Sequence, residues 1–219
     1  EVEQSPTFSL CCSEASDVNT VLFAVSNPFD SEHFVTGGVG HLIFWRIQPQ
    51  FGLAKYPNMT NKSRDTFVCA GSIDKDITVV GCVSGALKFV RLPAIESSRR
   101  PYCEIEKAKA HRGTINVIHV CNESGSAVGA DSTEKVVILT GSRDCTIKAW
   151  SIMLDQSPEN GVAINKVSEP DLLWTMDLRN VALTASHLPR SDILDGGRPS
   201  KACAVRSIDI CAKKGKLLV

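Results

Sequence analysis

Between Ala110 and Ile152 the chain reads AHRGTINVIHVCN, then a small polar stretch, then EKVVILTGSRDCTIKAWSI. Residues 114–120 (TINVIHV), 136–142 (VVILTGS) and 145–152 (CTIKAWSI) are short runs rich in β-branched and aromatic residues. Such runs, bounded by small and polar punctuation, are strands, and the second and third share a tight turn at Arg143-Asp144. Three strands alone cannot bury both faces of their sheet. If the unit recurs, it implies a sheet array or a propeller, in which each copy covers its neighbour.

It does recur. Two copies precede it: VLFAV (21–25), HFVT (33–36) and HLIFWRI (41–47), then TFVCAGSI (66–73), ITVVGCV (77–83) and ALKFVRL (86–92). Asn27-Pro28-Phe29-Asp30 and Gly37-Gly38-Val39-Gly40 punctuate the first copy. Asp74-Lys75-Asp76 and Ser84-Gly85 punctuate the second. A fourth copy begins with AVRSIDIC (204–211), turns at Lys213-Lys214-Gly215 and continues as KLLV (216–219).

A further strand candidate precedes each unit: FSLCC (8–12), a weak one at 53–56, YCEIE (102–106) and LLWTMDL (172–178). Helical periodicity is nearly absent. The expectation is therefore an all-β fold, a partial β-propeller of about three and a half four-stranded blades. Its units are approximately 8–47, 53–92, 102–152 and a truncated 172–219. Propeller blades leave only short, protected sheet edges. Register supports the reading. Thr140 to Trp150 and Val80 to Val90 are each ten residues, and Thr36 to Trp45 is one shorter, which sets Gly40 where the third copy has Asp144.

Composition is that of ordinary globular protein, with 43% hydrophobic and 22% charged residues. Lys plus Arg equals Asp plus Glu at 24 each, so no global field draws the chain to nucleic acid or membrane. The runs Arg99-Arg100 and Lys213-Lys214 are short enough to be solvated surface. Aromatics at 6% offer little stacking surface for single strands. No apolar run approaches the ~20 residues that span a bilayer. EVEQSPTFSL has neither a secretory signal nor an initiator Met, and reads as an internal segment.

Nine cysteines include no CxxC pair, and Cys11-Cys12 are adjacent. Cys69, Cys82, Cys121, Cys203 and Cys211 fall within apolar runs, as buried reduced thiols do, which points to the cytosol. Sequons at Asn58, Asn61 and Asn122 are then chance matches.

The third unit resembles a WD repeat: His111 precedes the first strand, Thr140 sits in the second, Asp144 in the turn and Trp150 near the end of the third. The resemblance implies a hydrogen-bonded tetrad, His111 with Asp144 and Thr140 with Trp150, because a buried imidazole and a buried indole N–H both need partners. His111 and Asp144 also admit reading as a catalytic dyad, but their companions favour the structural role. The first copy keeps Thr36 and Trp45 without the His and Asp. The second has Ser84 for Asp and Val90 for Trp, so both earlier blades are expected to rely on apolar packing.

The order of NPFDSEHFVTGGVGHLIFW, TFVCAGSIDKDITVVGCVSGALKFV, KAHRGTINVIHV and LTGSRDCTIKAW resembles the echinoderm microtubule-associated protein-like family, over about residues 18–219. The family's tandem-propeller start motif and its second propeller have no counterpart here. The resemblance implies a non-catalytic scaffold that binds tubulin or microtubules through its propeller, in the cytoplasm on the microtubule cytoskeleton. The alternative is a generic propeller adaptor for another peptide or subunit. The missing blades are expected from the rest of the parent protein or another chain, since an open propeller exposes apolar flanks.

An enzyme is not expected. P-loop, GxSxG and HExxH patterns are all absent, and no cofactor or metal is implied. Gly37-Gly38-Val39-Gly40 does not open a helix, and His41 and His119 alternate with apolar neighbours, facing a groove or solvent. A catalytic propeller would need acids and histidines clustered in its channel. Three stretches, 122–135, 153–171 and 180–201, read as long loops, the first two on one face and the third on the other. They are either surface decoration or partner-binding elements.

Overall fold

In the computed structural model the described residues are 14, 19–48, 52–56, 65–92, 101–122, 133–159, 162–179, 194–195, 198–199, 204–211 and 216–218. They form strands with a single short helical turn at 178–179. The first sheet contains β1 (Val21–Asn27), β2 (Asp30–Gly38), β3 (His41–Gln48) and β4 (Gly52–Lys55), in that order and antiparallel. The second has β5 (Phe67–Ser72), β6 (Ile77–Cys82), β7 (Leu87–Arg91) and β8 (Tyr102–Lys107).

The third sheet runs β9 (Ile115–Asn122), β10 (Thr133–Ser142) and β11 (Thr146–Glu159), with β13 (Asp171–Asp177) closing it along residues 146–151 of β11. Further along the same strand, β12 (Val162–Val167) pairs with residues 154–159. Two hairpins follow, β14 (Leu194–Asp195) with β15 (Arg198–Pro199), and β16 (Asp209–Cys211) with β17 (Lys216–Leu218). The chain is all-β, with two four-stranded antiparallel blades and a third that carries a fifth strand, arranged as a partial WD-type propeller.

The blades stack through three apolar layers. Val35, Leu42 and Phe44 of the first meet Phe67, Val80 and Val90 of the second. Ile77, Val79, Leu87 and Phe89, on the opposite face of the second, meet Ile115, Ile138, Trp150 and Ile152 of the third. Leu139, Ile147 and Ala149 of the third meet Val205 and Ile208. Because the middle blade is covered on both faces, all six residues of β6 and all five of β7 are buried. A near-continuous apolar run, without alternation, is how such a strand reads in sequence.

The repeat is visible in the backbone as well. Thr20, Thr66 and Thr114 each accept a hydrogen bond on their carbonyl from the turn of their own blade. The donors are the N–H groups of Val39, Val83 and Arg143, at 3.1, 2.9 and 2.9 Å. The next residues diverge. Gly40, Gly85 and Cys145 occupy the left-handed region at φ of 70°, 83° and 67°. Gly40 therefore matches Cys145, not Asp144, and the first blade's shorter turn lacks the Asp position altogether.

Several expectations change. The strands at 53–56, 102–106 and 172–178, expected to open each unit, hydrogen-bond instead to the unit before them, as β4, β8 and β13. Sequence units and sheets are thus offset by one strand, which laces successive units together. Gly37 and Gly38 lie inside β2, and the turn is Val39-Gly40. At Gly37 a Cβ would come within 2.4 Å of the Phe23 ring, so the strand needs its narrow backbone there.

The expected loop 153–171 carries the end of β11 and all of β12, a regular hairpin. The expected strand 204–211 is regular only from Asp209. His41 is buried, its Nδ1 3.2 Å from the Val39 carbonyl. The candidate strand at 8–12, residues 123–132 and 180–193, and Cys203 lie outside the described residues. Cys69, Cys82, Cys103, Cys121 and Cys145 are free thiols; burial pushes the Cys69 thiol up to about 12, and Cys103 is exposed.

Candidate functional site: a sealed latch between blades

His111 stands in the short segment between β8 and β9, and Asp144 in the turn from β10 to β11. Thr140 lies within β10 and Trp150 within β11. The sheet register pairs Thr140 with Lys148 and Ile138 with Trp150, so threonine and indole meet diagonally across neighbouring strands. The Trp150 indole N–H donates to Thr140 Oγ1 at 2.9 Å. Thr140 Oγ1 is 2.7 Å from His111 Nε2. His111 Nδ1 lies 3.2 and 3.3 Å from the two Asp144 oxygens and 3.0 Å from Thr146 Oγ1.

A single direction of donation satisfies the whole chain. Indole N–H gives to the threonine oxygen, threonine O–H gives to Nε2, and Nδ1–H gives to the carboxylate; the tautomer follows from these partners. The Thr140 hydroxyl also lies 3.3 Å from the Lys148 carbonyl. Thr140 is fully buried, His111 and Trp150 each only 3% exposed.

The Asp144 carboxylate is further saturated by the backbone N–H of Arg112 at 2.8 Å, the N–H of Thr146 at 3.0 Å and the Thr146 hydroxyl at 2.6 Å. Burial pushes this carboxyl up. The hydrogen bonds from His111, Thr146 and Arg112 outweigh burial and hold it well below its ordinary value of 3.8. A carboxyl depressed in the folded state contributes stability above its unfolded pKa and loses it as the pH falls through the folded value. We expect the melting temperature of the wild type to drop more steeply below about pH 4 than that of Asp144→Asn. Equal acid slopes in thermal melts would remove Asp144 as the cause.

The first blade keeps half of the arrangement: the Trp45 indole N–H donates to Thr36 Oγ1 at 2.8 Å, both side chains buried, with the Phe34 ring stacked on Trp45 at 5.8 Å. The second blade replaces the tetrad in a way the sequence reading missed. Val80 and Val90 take the Thr and Trp positions, as expected for apolar packing. Lys88, 2% exposed, lies 3.5 Å from Glu106 and 3.9 Å from Asp65, and Ser84 donates to Asp65 at 2.6 Å. This blade therefore also carries a buried lysine that reaches two carboxylates at its edge. The available signal was a lysine in the middle of the apolar run ALKFVRL, with carboxylates at Asp65 and Glu106.

The latch joins blades as well as strands. The N–H of His111 donates to the Gly85 carbonyl in the second blade's turn at 3.0 Å. At the next junction, Asn116 Nδ2 donates to the Val205 carbonyl at 2.8 Å, and Val205 N–H donates to the Ser142 carbonyl at 3.2 Å. Gly81 and Gly141, at equivalent positions, give the room: a Cβ would come within 2.7 Å of Ile115 and 2.3 Å of Val205 respectively. Among the described residues no group of three or more His, Cys, Asp or Glu could hold a metal ion.

The stacked blades, their repeated turns and the tetrad of the third define the fold class as a partial WD-type β-propeller. No protein-family model and no curated protein matches the chain. Among solved structures it is similar to the crystal structure of Saccharomyces cerevisiae Sqt1, at 14% sequence identity with a TM-score of 0.48, over 71% of this chain and 41% of that one. The chain thus spans less than half the length of that structure.

Proposed function

We propose that this chain is a non-catalytic propeller scaffold that binds a protein partner, and that the partner is tubulin or the microtubule lattice. The observation that carries the non-catalytic reading is the sealed latch. Among the described residues two His–Asp pairs resemble an acid–base dyad: His33–Asp30, 2.8 Å apart with His33 Nε2 3.1 Å from the Tyr56 hydroxyl, and the more deeply buried latch pair His111–Asp144. In the latch both ring nitrogens and both carboxylate oxygens are already engaged, and the imidazole is 3% exposed. A general base must reach a substrate proton, and this one has no free lone pair or open face.

The tubulin reading rests on the sequence resemblance alone and brings with it a cytoplasmic, cytoskeletal location, with residues 1–219 as part of one larger propeller. Co-sedimentation tests it: the intact protein is expected in the pellet with polymerised tubulin and in the supernatant without it. Recovery in the supernatant in both cases would leave the generic adaptor, a propeller that binds some other peptide or subunit.

A further inference from the structure

Where the third blade meets the segment 204–208, an open cleft of about 410 Å³ is lined by Asn116, Arg143, Ala204 and Arg206. Arg143 and Arg206 are exposed, and neither guanidinium has an ion-pair partner among the described residues. Two acidic groups of this blade are already committed. Asp144, next to Arg143 in sequence, is consumed by the latch, and Asp177 is held by Arg179 through paired guanidinium hydrogen bonds. Two guanidinium charges therefore line one cleft without an ion-pair partner among the described residues.

Their backbones are fixed in place. Arg143 N–H donates to the Thr114 carbonyl at 2.9 Å. Arg206 follows Val205, which is pinned by Asn116 and Ser142 at 2.8 and 3.2 Å and buried beneath Gly141. Only the side chains need ordering when an anion arrives. That lowers the entropic cost of binding.

We propose that this cleft is a docking site for an acidic segment of a partner protein, its Glu or Asp carboxylates paired with Arg143 and Arg206. Charge complementarity selects the occupant, since planar guanidinium forks match carboxylates two bonds at a time. Among the described residues that line it, the cleft offers no aromatic face to hold a nucleobase, and no helix begins. The inference rests on the protein-binding reading and not on tubulin in particular.

The test is fluorescence anisotropy with a labelled eight-residue poly-glutamate peptide and the intact protein. Binding is expected to weaken with rising salt and to fall roughly tenfold or more in Arg143→Ala/Arg206→Ala. Inorganic phosphate at the same charge concentration is expected to compete poorly. Both arginines are exposed, so the variant is expected to melt with the wild type. Unchanged peptide affinity in the folded variant overturns the proposal. So does equal competition by phosphate, which would make the cleft a simple ion site. Loss of peptide binding in the variant together with absent tubulin co-sedimentation would keep the cleft and discard tubulin.

Discussion

Replacing His111 with alanine is expected to lower the unfolding free energy by about 3 kcal/mol, as removing a buried hydrogen-bonding ring does when its partners are left unsatisfied. The imidazole accounts for one hydrogen bond to Thr140 and the ring contact with Asp144. Its loss leaves a buried hydroxyl with fewer partners, a carboxylate short of its main counterpart, and a void beside a fully buried threonine. Urea unfolding measures the change.

Two further variants separate the latch from simple cavity formation. Trp150→Phe keeps most of the ring and removes one donor, and is expected to cost about 1–2 kcal/mol. Combined with His111→Ala it is expected to cost less than the sum, because both partners act through Thr140 Oγ1. Strict additivity would mean that the four residues do not act as one network.

Gly85→Ala is expected to cost about 3 kcal/mol, while Gly40→Ala, in the corresponding turn of the first blade, costs about 1 kcal/mol. Both glycines hold left-handed backbone, φ 83° and 70°. Around Gly40 nothing lies within 4 Å of an added Cβ, so only the backbone preference is lost. At Gly85 the Cβ would come within 2.4 Å of the His111 carbonyl oxygen and 3.0 Å of the Gly113 oxygen. Those are backbone atoms of the next blade, and they cannot swing aside as a side chain would. The clash also sits on the bond from His111 N–H to the Gly85 carbonyl. Equal costs in denaturant titrations would show that the junction between blades yields freely.

Much of this was legible in the residues. Strands at 66–73, 77–83 and 86–92 were expected, and β5, β6 and β7 occupy 67–72, 77–82 and 87–91. Local turn chemistry and β-branched runs mark such elements without reference to anything distant. The four latch residues were named through the resemblance of the third unit to a WD repeat. Lys88 was not. A lysine in an apolar run reads as a flaw until Asp65 and Glu106, 23 residues before and 18 after in sequence, are seen beside it.

The sequence by itself determined the all-β class and the repeat, since each depends on residues a few positions apart and on alternation along one strand. The tertiary structure decided which sheet each outer strand closes, that residues 153–167 continue as a hairpin, and that the buried Lys88 of the second blade meets Asp65 and Glu106. It also brought Arg143 and Arg206, 63 positions apart, to one cleft. The physical reason is that strand pairing and charge neutralisation are contacts between distant segments. Their energies depend on packing in three dimensions, which leaves no period in the chain.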